Sequence, residues 1–237
     1  AISNAASISA NCSSTGSGNA LIVDTSGNVW TCGYNGHGEL GIGSTTVQHL
    51  FTQVTALSSI AKAELGGGIY GSGYALTTAG ALYTWGYNGQ NNLFFNNTTT
   101  PQSTPAAPSS SNLPSGTISQ VFFAKGNEGL NTSCQMILLM SNGVLAYAGE
   151  NVGQEAPSVS SGAYNLLPEP LFITNGTDSI TDLFVHGTGA STQRWFILTE
   201  LGNLYACGDN TNAICTGAVA GTTPATNAVW SRISFVL

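Results

Sequence analysis

The stretch Ala20-Leu-Ile-Val-Asp-Thr-Ser-Gly27-Asn-Val-Trp30-Thr-Cys-Gly33-Tyr-Asn35 has three further copies in the 237 residues. The second is Ala75-Leu-Thr-Thr-Ala-Gly80-Ala-Leu-Tyr83-Thr-Trp85-Gly86-Tyr-Asn88, and the third runs from Met136 through Gly143 and Gly149 to Asn151. The fourth runs from Phe196 through Gly202 and Gly208 to Asn210. In each copy the first glycine precedes the second by six residues, so the four align without gaps. A short apolar run, a glycine turn and an alternating run make a β-hairpin, since glycine adopts the positive φ that tight turns need. The second glycine marks a close approach of another backbone. The asparagine that follows is read as a loop-closing residue bonded to nearby main chain.

Working outward, each hairpin is preceded by another apolar run, beginning near Ile8, Ile60, Ile118 and Ile180. Each run leads into a glycine-rich loop in the last three copies, such as Gly66 to Gly68. The segments after Gly-x-Asn are polar and variable in length; the longest, 96–116, carries four prolines and reads as an exposed insertion. No helical periodicity stands out. Trp30, Tyr83, Tyr147 and Tyr205 are read as one repeat position, core between neighbouring units. Three to four short strands per repeat make the blade of a β-propeller, so the expected class is all-β with four recognisable blades. The repeats fall at about 1–55, 56–115, 116–175 and 176–229, and 230–237 reads as the first strand of a further one.

Composition limits the partners. Charged residues are 6% of the chain, with 4 Lys+Arg against 11 Asp+Glu and a net charge of −7. Four scattered basic residues cannot neutralise a row of phosphates, which argues against nucleic acid, and the sign is wrong for anionic lipid. No apolar run approaches the roughly 18 residues of a spanning helix, so no membrane insertion is expected. A surface rich in Ser, Thr, Asn and Gly suits an extracellular or virion-surface location. Five cysteines leave at least one without an internal partner, and no CxxC supports a zinc site. Cys207 and Cys215 are close enough in sequence to bridge; buried thiols acting as small hydrophobes are the other reading.

The first copy and its continuation, Trp30-Thr-Cys-Gly-Tyr-Asn35-Gly-His-Gly38-Glu39-Leu40-Gly41-Ile-Gly43, resemble the regulator of chromosome condensation repeat. The second copy keeps Trp85-Gly86-Tyr-Asn88-Gly-Gln90, the third Gly149-Glu-Asn151-Val-Gly153-Gln154, and the fourth only Cys207-Gly208-Asp-Asn210. The resemblance implies four-stranded antiparallel blades around a central axis, in a ring that the family typically closes with about seven. Four blades would then form an unusual small ring or part of a larger one. The founding members are nuclear exchange factors and chromatin binders, and the low charge of this chain departs from that role.

Chemistry is sparse. Gly66-Gly-Gly-Ile-Tyr-Gly71 formally matches a dinucleotide fingerprint but lies between strands and opens no helix. No GxSxG or His-x-x-x-His is present. Asp209 to Asn212 offers oxygen ligands that a calcium ion could use, and Glu150 and Glu155 are read as solvated loop carboxylates. His37 and Glu39 fall at variable and structural positions of the repeat. No catalytic residue, cofactor or metal site is expected, so the chain is read as a non-enzyme. Exposed aromatics are the candidate ligand contacts: Tyr34 and Tyr87 inside Gly-x-Asn, Phe94 and Phe95, and Tyr164 in variable linkers. Phe94 and Phe95 either anchor a partner or tuck under their loop. The resulting expectation is a recognition or attachment module, of tail-fibre, receptor-binding or adhesin type, meeting a host-surface glycan or protein. The alternatives are a structural subunit packing against neighbours in an assembly and an intracellular exchange-factor or inhibitor propeller.

Overall fold

The computed structural model describes residues 2, 4–12, 17–67, 70–89, 91–95, 100–125, 134–149, 165–166, 178–186, 194–209 and 226–233. These form four antiparallel sheets, each a simple up-and-down meander. Blade 1 contains β1 (Ala5–Cys12), β2 (Gly18–Asp24), β3 (Val29–Gly33) and β4 (Gln48–Gln53). Blade 2 contains β5 (Ile60–Gly66), β6 (Ser72–Thr77), β7 (Leu82–Gly86) and β8 (Gln102–Ala106). Blade 3 contains β9 (Ile118–Lys125), β10 (Cys134–Met140), β11 (Leu145–Ala148) and β12 (Asn165–Leu166). Blade 4 contains β13 (Ile180–His186), β14 (Arg194–Thr199), β15 (Leu204–Asp209) and β16 (Thr226–Arg232). One turn of 3-10 helix, Ser110–Asn112, is the helical element among the described residues. The fold is an all-β propeller architecture with four blades.

The two repeat glycines act as the spacing predicts. All four turn glycines and all four second glycines have positive φ, between 76° and 125°. In blade 2, a Cβ on Gly86 would lie 2.6 Å from the Gly71 carbonyl oxygen and 3.0 Å from the Ser72 Cα. The close approach lets the Tyr87 amide donate to that carbonyl at 2.9 Å, as Tyr34 does to Gly18 in blade 1. Each hairpin closes in the same manner, with the turn-glycine amide donating to the residue three before it at about 2.9 Å.

Alternation along the strands sorts side chains between neighbours. Residues six and four before the turn glycine face the following blade: Leu21 and Val23, Tyr74 and Leu76, Ile137 and Leu139. Those five before it face the preceding blade: Ala75, Leu138 and Ile197. Three hydrophobic cores result. One joins Leu21, Val23 and Val29 to Ala63, Leu65 and Trp85; the next joins Tyr74, Leu82 and Phe94 to Phe123, Met136 and Leu138; the last joins Ile137, Leu145 and Tyr147 to Leu183, Trp195 and Ile197. The first strands lie side by side in the order β1, β5, β9, β13, and among the described residues no comparable contact returns from β13 to β1. Together they line a cavity of about 480 Å³.

Three expectations change. Tyr147 is two residues before its second glycine, whereas Trp30, Tyr83 and Tyr205 are three before theirs, so it faces the opposite neighbour. Trp30 is half-buried on the outer side of blade 1, not between blades. The insertion 96–116 contains β8, the fourth strand of blade 2, which pairs through Thr84↔Ala106 and Gly86↔Gln102 and buries Pro105. Proline is tolerated there because β8 is an edge strand. Residues 230–232 likewise belong to β16, where Ser231 and Arg232 pair with Ala206 and Tyr205, completing blade 4.

Candidate functional site

The loop after β3 begins with the repeat asparagine. Asn35 is fully buried; its amide donates to the carbonyls of Ser44 (2.8 Å) and Thr46 (3.0 Å), and its oxygen accepts the Leu40 amide at 2.9 Å. Asn88 accepts the Leu93 amide at 3.1 Å in the same way. These side chains hold their own loops, as the sequence suggests. The closed loop then reaches across to blade 2, where the Trp85 indole N–H donates to the Glu39 carbonyl at 2.9 Å. The Gly43 amide donates to Ser103 at 2.8 Å, and a Cβ on Gly41 would press to 3.0 Å from the Trp85 ring. The Gly-His-Gly-Glu-Leu-Gly segment is therefore a clasp between adjacent blades.

That clasp assembles an aromatic cluster. Tyr70, from the loop after β5, stacks on Tyr87, with centroids 4.6 Å apart and planes at 21°. His37 stands edge-on to both, at 4.7 Å from Tyr70 and 5.4 Å from Tyr87. All three are partly exposed. Beneath them Glu39 is almost fully buried; its carboxylate accepts the His37 amide at 2.8 Å and lies 3.3 Å from the imidazole Nδ1. Burial raises the Glu39 pKa, while the bonds from His37 oppose that rise. The arrangement presents a stacked aromatic surface with a polar edge and an acid backing. That suits recognition of an amphipathic or cationic group.

Of the aromatics proposed from sequence, Tyr87 belongs to this cluster. Tyr34 is half-buried and folded over Gly36, where a Cβ would collide with its hydroxyl. Phe94 is fully buried in the core between blades 2 and 3, and Phe95 packs against the same core; of their two readings, the tucked one holds. Tyr164 lies outside the described residues, as do Glu150, Glu155, Asn210 and Cys215. Cys207 is buried in the core between blades 3 and 4, and neither Cys12 nor Cys32 is in a disulfide. No group of three metal-ligating side chains occurs among the described residues. Tyr70 escaped the sequence reading because it sits in a glycine-rich loop; an isolated aromatic in such a loop is the signal that it packs or binds.

The clasp also lies within a segment that matches a known repeat. Residues 26–69 match the regulator of chromosome condensation (RCC1) repeat. The matched segment starts in the turn of blade 1, carries the clasp and ends after the first strand of blade 2, so its frame spans the joint between two blades. Among solved structures, the chain is similar to human WBSCR16, at 16% identity and a TM-score of 0.64. It is also similar to yeast RCC1 (Prp20) in its complex with Kap60, at 17% identity and a TM-score of 0.58. Prp20p from Saccharomyces cerevisiae, described with its binding to Gsp1p and histones, gives 17% and 0.57. The matches cover 92% of this chain but 51%, 47% and 48% of those chains, so it spans about half their length. At these identities the likeness is one of fold.

Proposed function

We propose that the chain is a non-enzymatic recognition module that binds a protein or glycan partner at the Tyr70–Tyr87–His37 cluster. The single observation carrying this reading is that stack, partly exposed at the joint between blades 1 and 2 and backed by the buried Glu39. Aromatic faces with a polar edge are well suited to such contacts, and a propeller supplies loops on a rigid scaffold. The finer proposal is an extracellular or virion-surface attachment role, supported by a chain with only 6% charged residues. A second reading, an intracellular protein-binding propeller of exchange-factor or inhibitor type, is favoured by the likeness to Prp20p, described with its binding to Gsp1p and histones. The test is a binding screen with the immobilised chain against a glycan panel and against purified histones and Gsp1p, the partners named for Prp20p. Tyr70→Ala and Tyr87→Ala should weaken the positive interaction at least tenfold while leaving the circular dichroism spectrum unchanged. Undiminished binding by the double variant would sink the site; retention of histones or Gsp1p alone would select the second reading.

A further inference from the structure

Each first strand carries a β-bulge at the same place. Ala6, Ala61, Ser119 and Thr181 are left out of register with the second strand of their blades. A bulge bends its strand and re-aims the side chains beside it. The residues that follow are Ser7, Lys62, Gln120 and Asp182, which pair with Val23, Leu76, Leu139 and Leu198, each four before its turn glycine. This column is polar in every blade, in a chain that is 42% hydrophobic and only 6% charged. Lys62, Gln120 and Asp182 line the cavity of about 480 Å³ along the first strands, a size that suits a small ligand.

The polar groups of the cavity are anchored. Lys62 pairs with Glu64 at 3.2 Å. Glu64 lies against the hydroxyl of Tyr74, which is fully buried and donates to the Val121 carbonyl at 3.1 Å. Burial first, and the Glu64 carboxylate second, push that hydroxyl well above the usual tyrosine pKa, so it stays a neutral donor. Two blades on, Asp182 is exposed and accepts the Leu183 amide at 2.8 Å through one oxygen, which leaves further acceptor sites open. Between them the Gln120 amide nitrogen donates to the Ile180 carbonyl at 3.4 Å. Ile8 and Phe122 supply apolar wall.

The geometry points to this cavity as a binding site for a neutral sugar of one or two rings. Its lining sets one ammonium, Lys62, against two carboxylates, Glu64 and Asp182, so an anion is repelled on balance. A simple cation would meet Lys62. Hydroxyl groups both donate and accept, so a polyol can use every member of the set: it accepts from Lys62 and donates to Asp182, Glu64 and the Gln120 oxygen. Hydrogen bonds to charged partners are the strong ones. The C–H faces of a sugar ring pack against Ile8 and Phe122.

Isothermal titration calorimetry of the 237-residue chain with glucose, galactose, mannose, maltose and lactose tests this. At least one sugar should bind with a Kd of about 1 mM or below, while inorganic phosphate, glycine and spermidine should not. Lys62→Met and Asp182→Asn alter exposed side chains, so folding should be retained, as circular dichroism will check. Each should weaken sugar binding at least tenfold, since each removes a bond to a charged group. The Tyr70→Ala, Tyr87→Ala double variant should bind the sugar as wild type does, which separates this cavity from the aromatic cluster. No binding by any of the five sugars, tighter binding of phosphate, glycine or spermidine, unchanged affinity in either folded variant, or loss of sugar binding in the tyrosine variant would each overturn the inference.

Discussion

Trp85→Phe tests the clasp. The indole is fully buried, lies against Gly73 and Gly41, and donates to the Glu39 carbonyl at 2.9 Å. Phenylalanine keeps a ring in the site but removes the donor, leaving a buried carbonyl unpaired at a cost of about 1–3 kcal/mol. The smaller ring also gives up about 40 Å² of apolar contact, or about 1 kcal/mol at 25 cal/mol/Å². The total is about 2–4 kcal/mol, which shifts the urea midpoint down by about 1 M at a slope of about 2–3 kcal/mol/M. Trp30→Phe is the control: its indole N–H also donates, to Asp24 at 3.1 Å, but the ring is only half-buried on an outer face. It should cost less than about 1 kcal/mol, as surface substitutions do. Urea unfolding followed by far-UV circular dichroism compares the two. Hydrogen exchange at the Leu40 and Gly41 amides should quicken in Trp85→Phe alone. A midpoint within about 0.2 M of wild type, or equal losses in both variants, would refute the assignment of the clasp to this bond.

The remaining predictions concern the repeat itself. Gly80 and Gly86 both have positive φ, but a Cβ on Gly80 meets nothing within 4 Å while one on Gly86 meets backbone. Gly80→Ala should therefore cost about 1 kcal/mol and Gly86→Ala clearly more, read by thermal unfolding. Asn35→Ala removes three hydrogen bonds inside a buried loop; we expect a loss of about 2–4 kcal/mol, with Asn35→Asp nearly as damaging because a carboxylate cannot donate to Ser44 and Thr46. Asp24, held by the Asn28 side chain and further by the Asn28 amide, the Trp30 indole and the Ser26 amide, has its pKa lowered to about 2. Its unfolded value is about 3.9, so its contribution is complete above that pH and is lost as pH falls toward 2. Denaturant titrations across that window should show a slope that Asp24→Asn flattens.

Hairpins were legible because their determinants are local. A turn glycine and a second glycine six residues on each impose a backbone geometry without reference to the rest of the chain, and all eight show it. Fourth strands were not legible. Gln102–Ala106 contains Pro105, lacks apolar alternation and is recruited by an edge already formed at Thr84 and Gly86. Tyr147 was misplaced by one residue, which in a period-two element moves a side chain to the opposite face. The candidate site depended on contact over distance: His37, Tyr70 and Tyr87 come from three loops, and only the fold of two blades brings them together. Phe94 shows the converse, since an aromatic in a variable linker proved to be core with a φ of 62°.

The serial arrangement of three cores has a thermodynamic consequence. Among the described residues, blades 2 and 3 each contribute to two cores, whereas blades 1 and 4 contribute to one. Such a chain behaves as a one-dimensional array with nearest-neighbour coupling, in which disorder enters at the ends and travels inward. Opening should thus be graded: amides of β1 and β16 exchange first and those of β6 and β10 last.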